Sequence, residues 1–185
     1  MPDDIAILRW LDHPDPVSAR RTVEDIFFAA AGRTFPDPGE RAAFLERWLG
    51  RYLAVDADHA FLAVTATGAV VGYLVGALDD PSTADRFADI PYFRADFRHL
   101  CARFPAHLHI NLAETARSAG TGSRLVAAFA AHAASAGARG VHVVTADGHR
   151  NVGFYRRNGF APRGTTLFGS RPVVFLGRDL QPPLA

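Results

Sequence analysis

The chain contains no lysine, so all 20 of its Lys/Arg positions are arginine. That excludes the phosphate-gripping P-loop, whose G-x-x-x-x-G-K-[ST] pattern needs a lysine to reach the phosphates. Against 19 acidic residues the net charge is only +1, and no long basic run occurs. Charge therefore gives no reason to expect nucleic acid or an anionic membrane as a partner. There is one cysteine, Cys101. It excludes an internal disulfide, fits a reducing cytoplasm, and is expected to be a small buried apolar residue. No apolar run approaches the length of a membrane span. The opening residues, with Asp3 and Asp4, lack a signal-peptide pattern, so a cytoplasmic location is expected. What is present is ordinary for a globular domain: 185 residues, 49% hydrophobic and 21% charged. That length supports one domain, residues 1–185, with its own core.

The pattern along the chain alternates strand-like and helix-like stretches. Ile5–Arg9 reads as a strand, followed by a helix that Asp15 caps with Pro16 at its first position and that stops at Gly32. A second helix carries Phe44, Leu45, Trp48, Leu49 and Tyr52 at helical spacing. Phe61–Val64 and Val70–Val75 form a hairpin around Thr67-Gly68. Asp79–Pro105 is a long connection holding a helix or two, its five aspartates balanced by four arginines. Its aromatics Phe87, Tyr92, Phe93 and Phe97 are candidates to pave an acceptor pocket. Then come an alternating strand, Leu108–Leu112, and an alanine-rich helix ended by Gly137 and Gly140. Val141–Thr145 is a strand, Asn151–Arg157 a short helix capped by Asn151 and closed by Gly159, and two last strands surround Gly169-Ser170. Hairpins mixed with helix-linked strands predict an α/β fold with a sheet of mixed direction.

The most informative stretch lies between the alternating strand and the alanine-rich helix: Arg117-Ser118-Ala119-Gly120-Thr121-Gly122, with Ser123 following. Strand, glycine turn and helix start in that order make a phosphate site. Glycines let the backbone approach a ligand, and first-turn N–H groups point at it with the positive end of the helix dipole behind. A dinucleotide fingerprint is excluded, because the third glycine of G-x-G-x-x-G is missing and the pair falls late in the chain. What fits is Arg-x-x-Gly-x-Gly followed about 30 residues later by Asn151-Val-Gly-Phe-Tyr-Arg-Arg-Asn-Gly-Phe160.

In these two segments the chain resembles the GCN5-related N-acetyltransferases, the GNAT superfamily. The resemblance extends in element order from the first strand to the last. It implies a single-domain GNAT-like fold: a mixed central sheet with antiparallel N-terminal strands, a splay between the fourth and fifth strands, and helices on both faces. It implies acetyl-CoA as acyl donor, its pyrophosphate held by backbone N–H groups from Arg117 to Ser123 through Ser118, Ala119, Gly120, Thr121 and Gly122. Leu112 would flank the pantetheine arm and Asn151 would bond it. Ser118 stands where the family often has glycine, and Ala113 where it often has proline. The implied reaction is N-acetylation of a primary amine, on a small molecule or a peptide, with Tyr155 as general acid near the thioester sulfur. The alternative is an inactive GNAT-fold protein that binds acetyl-CoA or a protein partner. The segment 79–105 would be the acceptor-side insertion, and the protein a monomer or homodimer.

The strand before the loop adds a reading of its own. His107, His109 and Asn111 alternate with Leu108, Ile110 and Leu112, so period two gathers the polar residues on one face. In a covered sheet that is costly unless they line a wet cleft. His109 or His107 is then the candidate base or water-holder, since imidazole titrates near working pH. Asn111, Tyr92 and Phe93 are the candidate acceptor contacts. Adding His142 and His149 gives no metal-ligand spacing, and no metal is expected.

Overall fold

The computed structural model describes residues 5–117 and 120–180. Local chemistry explains its early elements. Strand β1 is Ile5–Arg9 and helix α1 is Pro16–Ala30. Asp15 caps α1 by accepting the Ser18 N–H, and Pro16 takes the first helical position, where a missing N–H costs nothing. Asp37 and Pro38 repeat the device for α2, Pro38–Leu45. The single second helix expected from the sequence is in fact interrupted. After α2 the backbone widens into one π-helical turn, Glu46–Gly50, before α3, Arg51–Val55. Side-chain periodicity does not register such an extra residue per turn.

Strands β2 (Phe61–Thr65) and β3 (Val70–Ala77) form the expected antiparallel hairpin, with Gly68 at positive φ in the turn. Val71 is a bulge, because Ala63 faces Gly72 while Val64 faces Val70. The connection that follows holds α4 (Pro91–Arg94) and α5 (Arg98–Arg103). Beyond it lie β4 (Ala106–Leu112), α6 (Thr121–Ser135), β5 (Gly140–Ala146), α7 (Arg150–Arg157), β6 (Ala161–Phe168) and β7 (Arg171–Asp179). The seven strands hydrogen-bond in the order β1-β2-β3-β4-β5-β7-β6. The sheet is mixed, as expected: β4 and β5 are parallel, while β1–β2, β2–β3, β5–β7 and β6–β7 are antiparallel. The β4–β5 ladder pairs Ala106 with Val141 and His107 with His142 and goes no further, whereas β5 pairs β7 along its whole length.

The residues gather into two compact units, one running to Gly76 and resuming at His109–Phe129, the other comprising Ala77–Leu108 and the chain from Ala130 on. The first buries Val23 and Phe27 of α1, Leu49 and Tyr52, Leu62 of β2, Leu74 of β3, and Leu125 and Phe129 of α6. The second is built on aromatics, with Phe87, Phe97, Phe104 and Phe175 fully buried. Gly140 does not end α6; it is the first residue of β5, and Gly137, at positive φ, closes the helix. A β-carbon at Gly140 would meet the Phe104 ring and stand 3.1 and 3.2 Å from the Arg103 and Arg178 carbonyl oxygens. Backbone on both sides cannot yield as a side-chain tip can. Gly140→Ala is therefore expected to lower stability by about 1–3 kcal/mol, read as a reduced urea midpoint at unchanged slope.

Candidate functional site

The glycine loop belongs to the first unit. Ala113 N–H donates to the bulged Val71 carbonyl at 2.9 Å, which anchors the exit of β4 to β3. Glu114–Ala116 then make one 3₁₀ turn, closed by Ala116 N–H and Arg117 N–H donating to Ala113 and Glu114 oxygens. Arg117 reaches back, its Nε donating to the Leu112 carbonyl at 3.3 Å. The side chain thus fixes the loop. Ser118 and Ala119 lie outside the described residues. Gly120 has φ +79° and open space where a β-carbon would stand, so the left-handed backbone rather than crowding requires glycine there. Helix α6 starts at once, with Thr121 and Gly122 buried and Ser123 exposed. Leu125, Val126, Phe129, Ala130 and Ala133 form the buried stripe of α6. Arg124 Nη1 donates to the Ile5 carbonyl at 2.6 Å, tying the helix start to β1.

The far half of β4 lies in the same unit. His109 is half-buried, and its ring stands edge-to-face against both Trp48 and Tyr52, each centroid 5.3 Å away. Burial, with the Arg51 charge adding to it, pushes the imidazole down to about 4. It is a neutral ring throughout the physiological range. Asn111 Nδ2 donates to the Tyr73 hydroxyl at 2.7 Å. Tyr73 is buried and its phenol is held well above the ordinary range by desolvation, so it stays protonated. The sequence flagged neither Trp48, Tyr52 nor Tyr73 as functional. Trp48 and Tyr52 stood out only by their helical spacing and Tyr73 only as part of a strand run, and which strand they would face is a long-range property.

The near half of β4 belongs to the second unit, and there the expectation of one polar face on a wet cleft needs correction. His107 is 2% exposed. Its Nδ1–H donates to the Pro105 carbonyl at 3.2 Å, and its ring packs on Phe87 at 4.8 Å, Phe93 at 5.9 Å and, stacked, His142 at 5.3 Å. His142 in turn donates from Nδ1 to the Phe104 carbonyl and stacks on Phe175. This is an aromatic core layer. Tyr92 and Phe93, expected as acceptor contacts, are 4% and 3% exposed. Tyr92 packs on Phe97 and Phe168, and Phe93 on both histidines. The connection uses these rings to cover its own core, because short helices in a long insertion have no other apolar interior.

The second signature also falls in this unit. Tyr155 sits on α7 at 7% exposure, its ring 5.2 Å from Phe154 and 5.6 Å from Phe160. Burial pushes its phenol above the ordinary range. Asn151 is not the cap of α7. His149 is, accepting the Asn151 N–H on Nδ1 at 3.3 Å, and the Asn151 side chain is exposed. An imidazole acceptor serves as well as an amide oxygen there, which residue-type preference alone does not reveal. Cys101 is buried and its thiol is pushed up by burial and by Asp80, so it is inert. Among the described residues no cluster of His, Cys, Asp and Glu is placed to hold a metal ion, and no helix is long and apolar enough to cross a membrane.

Two outcomes separate the histidines. His107→Ala, which empties a packed aromatic site, is expected to cost about 2–4 kcal/mol in chemical denaturation. For His109 the unfolded ring titrates near 6.5 and the folded ring near 4. Between those values the unfolded chain binds a proton that the native state refuses. Its contribution to stability is complete above pH 6.5, falls as pH drops toward 4, and is flat below. Unfolding free energies of the wild type and His109→Gln between pH 7.5 and about 4 should show that difference; parallel curves would refute it.

Known proteins share the fold in which this turn and helix start lie. The model of the acetyltransferase (GNAT) family matches residues 20–160. Among solved structures, that of SsHAT is 26% identical, with a TM-score of 0.71 over 95% of this chain and 98% of its own. A phosphinothricin acetyltransferase from Sinorhizobium meliloti, in complex with AcCoA, is 17% identical, with a TM-score of 0.61 over 97% and 89%. Ard1 from Thermoplasma volcanium is likewise 17% identical, at 0.60 over 98% and 99%. With a family model spanning most of its length and folds of this kind matching nearly all of it, the chain belongs to the acetyltransferase (GNAT) family.

Proposed function

We propose that the protein is an acetyl-CoA-dependent N-acetyltransferase acting on a primary amine of a small molecule or peptide. The observation that carries this reading is the loop into α6. Gly120 is left-handed and open, the helix begins at the next residue, and Arg117 is fastened to the Leu112 carbonyl. Such a helix start suits a diphosphate. The backbone N–H groups of Gly120, Thr121, Gly122 and Ser123 are the proposed holders, with Arg117 adding charge; Ser118 and Ala119 complete the same loop in sequence. Leu112 and Asn151 are proposed along the pantetheine. When bound, acetyl-CoA supplies an acetyl thioester, which a neutral amine attacks.

Tyr155 has the protonation state that a donor to a departing sulfur needs. Its burial keeps the hydroxyl protonated well past neutral pH. It is proposed as the general acid.

The choice between the two strand histidines falls on His109. His107 is sealed among rings, whereas His109 is half-buried. Its role follows from magnitude. A typical amine has a pKa of about 10.4, so parking that proton on an imidazole held near 4 would be uphill by about 9 kcal/mol. His109 therefore serves as an uncharged hydrogen-bond acceptor that orients the acceptor nitrogen or a water beside it, and the proton passes on to solvent. Asn111, engaged with Tyr73, holds the neighbouring position on the strand.

Three measurements test this. Calorimetric titration with acetyl-CoA should show binding, and none at high micromolar concentration would sink the reading. Tyr155→Phe should lower turnover about a hundredfold at unchanged acetyl-CoA affinity. The rate should rise with pH toward the acceptor amine's own pKa and shift with that amine. An acidic limb near pH 6.5 that vanishes in His109→Gln would instead make His109 the proton store.

A further inference from the structure

The helical stretch from Pro38 to Val55 departs from regularity at one place. Over Glu46–Gly50 it widens, and the Arg51 N–H reaches five residues back to the Glu46 oxygen. Wide turns are rare and tend to persist where they aim a side chain. Trp48 lies inside this turn and Tyr52 one residue beyond α3's start. Both rings stand on the same imidazole, at 5.3 Å and interplanar angles of 71° and 70°. Edge-to-face contact is the arrangement that aromatic quadrupoles favour, and two such contacts leave the enclosed ring little freedom to turn. The support is firm from behind, since Leu49 and Tyr52 are fully buried. Arg51, between the two aromatics, is the charged group felt by His109, and the Asn111–Tyr73 pair follows on β4 and β3.

We propose that Trp48 and Tyr52 are positioning residues for His109: two rings, one within the π-helical turn and one just beyond it, that fix the imidazole's plane and keep water off its flanks, so that its lone pair meets the acceptor side in one direction. The proposal rests on the reading of His109 as the acceptor-side hydrogen-bond acceptor. Neither ring is a catalytic residue in this role, because each acts through the imidazole.

The test is a pH titration of the imidazole nitrogens by ¹⁵N–¹H NMR on the full chain without added ligand, in the wild type, Trp48→Leu and Trp48→Phe. Removing the ring should move the His109 midpoint upward by about one pH unit, while Trp48→Phe should keep it within about half a unit of wild type. In assays with acetyl-CoA, Trp48→Leu should lose about tenfold in kcat with KM for acetyl-CoA within about twofold, and Trp48→Phe should recover most of the loss. An unmoved His109 titration in a folded Trp48→Leu protein overturns the proposal. Should that variant not fold, Trp48→Met carries the same comparison. A His109→Gln enzyme of normal rate, alongside a moved titration, would refute the functional reading of His109 while supporting the positioning by Trp48.

Discussion

Three polar side chains stand at alternate positions of one interior strand, and strand β4 sets each in a different environment. A polar group taken out of water without a partner costs more than most packing contacts return. His107 bonds the Pro105 carbonyl through Nδ1 and disappears into an aromatic layer. Asn111 pairs with the Tyr73 hydroxyl. His109 stands edge-to-face against Trp48 and Tyr52 and is half-buried. The strand therefore contributes a sealed imidazole at one end and a part-buried one at the other. Its ladder to β5 ends at the same point, with the His107–His142 pair.

The exit of β4 continues the same logic in backbone. Val71, left over by a bulge, offers its carbonyl to Ala113, and Arg117 secures the Leu112 carbonyl. Beyond these two anchors Gly120 takes a left-handed backbone, and α6 begins at the next residue. Phosphate recognition at a helix start works through backbone N–H groups, so it depends on backbone conformation more than on side-chain identity.

Much of this was legible beforehand. Turn and cap residues located α1, the β2–β3 hairpin and α6, since Asp15, Gly68 and Gly137 act through local backbone preferences that neighbouring residues scarcely alter. The glycine loop and the Phe154-Tyr155 segment pointed to the right family. The errors have two causes. Asn151 lost the cap of α7 to His149, two residues earlier, because an imidazole can accept as an amide oxygen does. Gly140 belongs to a strand rather than a helix end, and Tyr92 and Phe93 line a core rather than a pocket, outcomes that turn on what another part of the chain brings alongside.

By itself the sequence determined the alternation of elements, the helix starts and the phosphate-type loop, because these follow from φ preferences, missing N–H groups and period-two or period-3.6 burial within a few residues. Only the tertiary structure decided which histidine of β4 is sealed and which is accessible. Period two treats His107 and His109 alike. What separates them is burial among Phe87, Phe93 and His142 for one and the π-helical turn bearing Trp48 for the other, contacts between residues far apart in the chain.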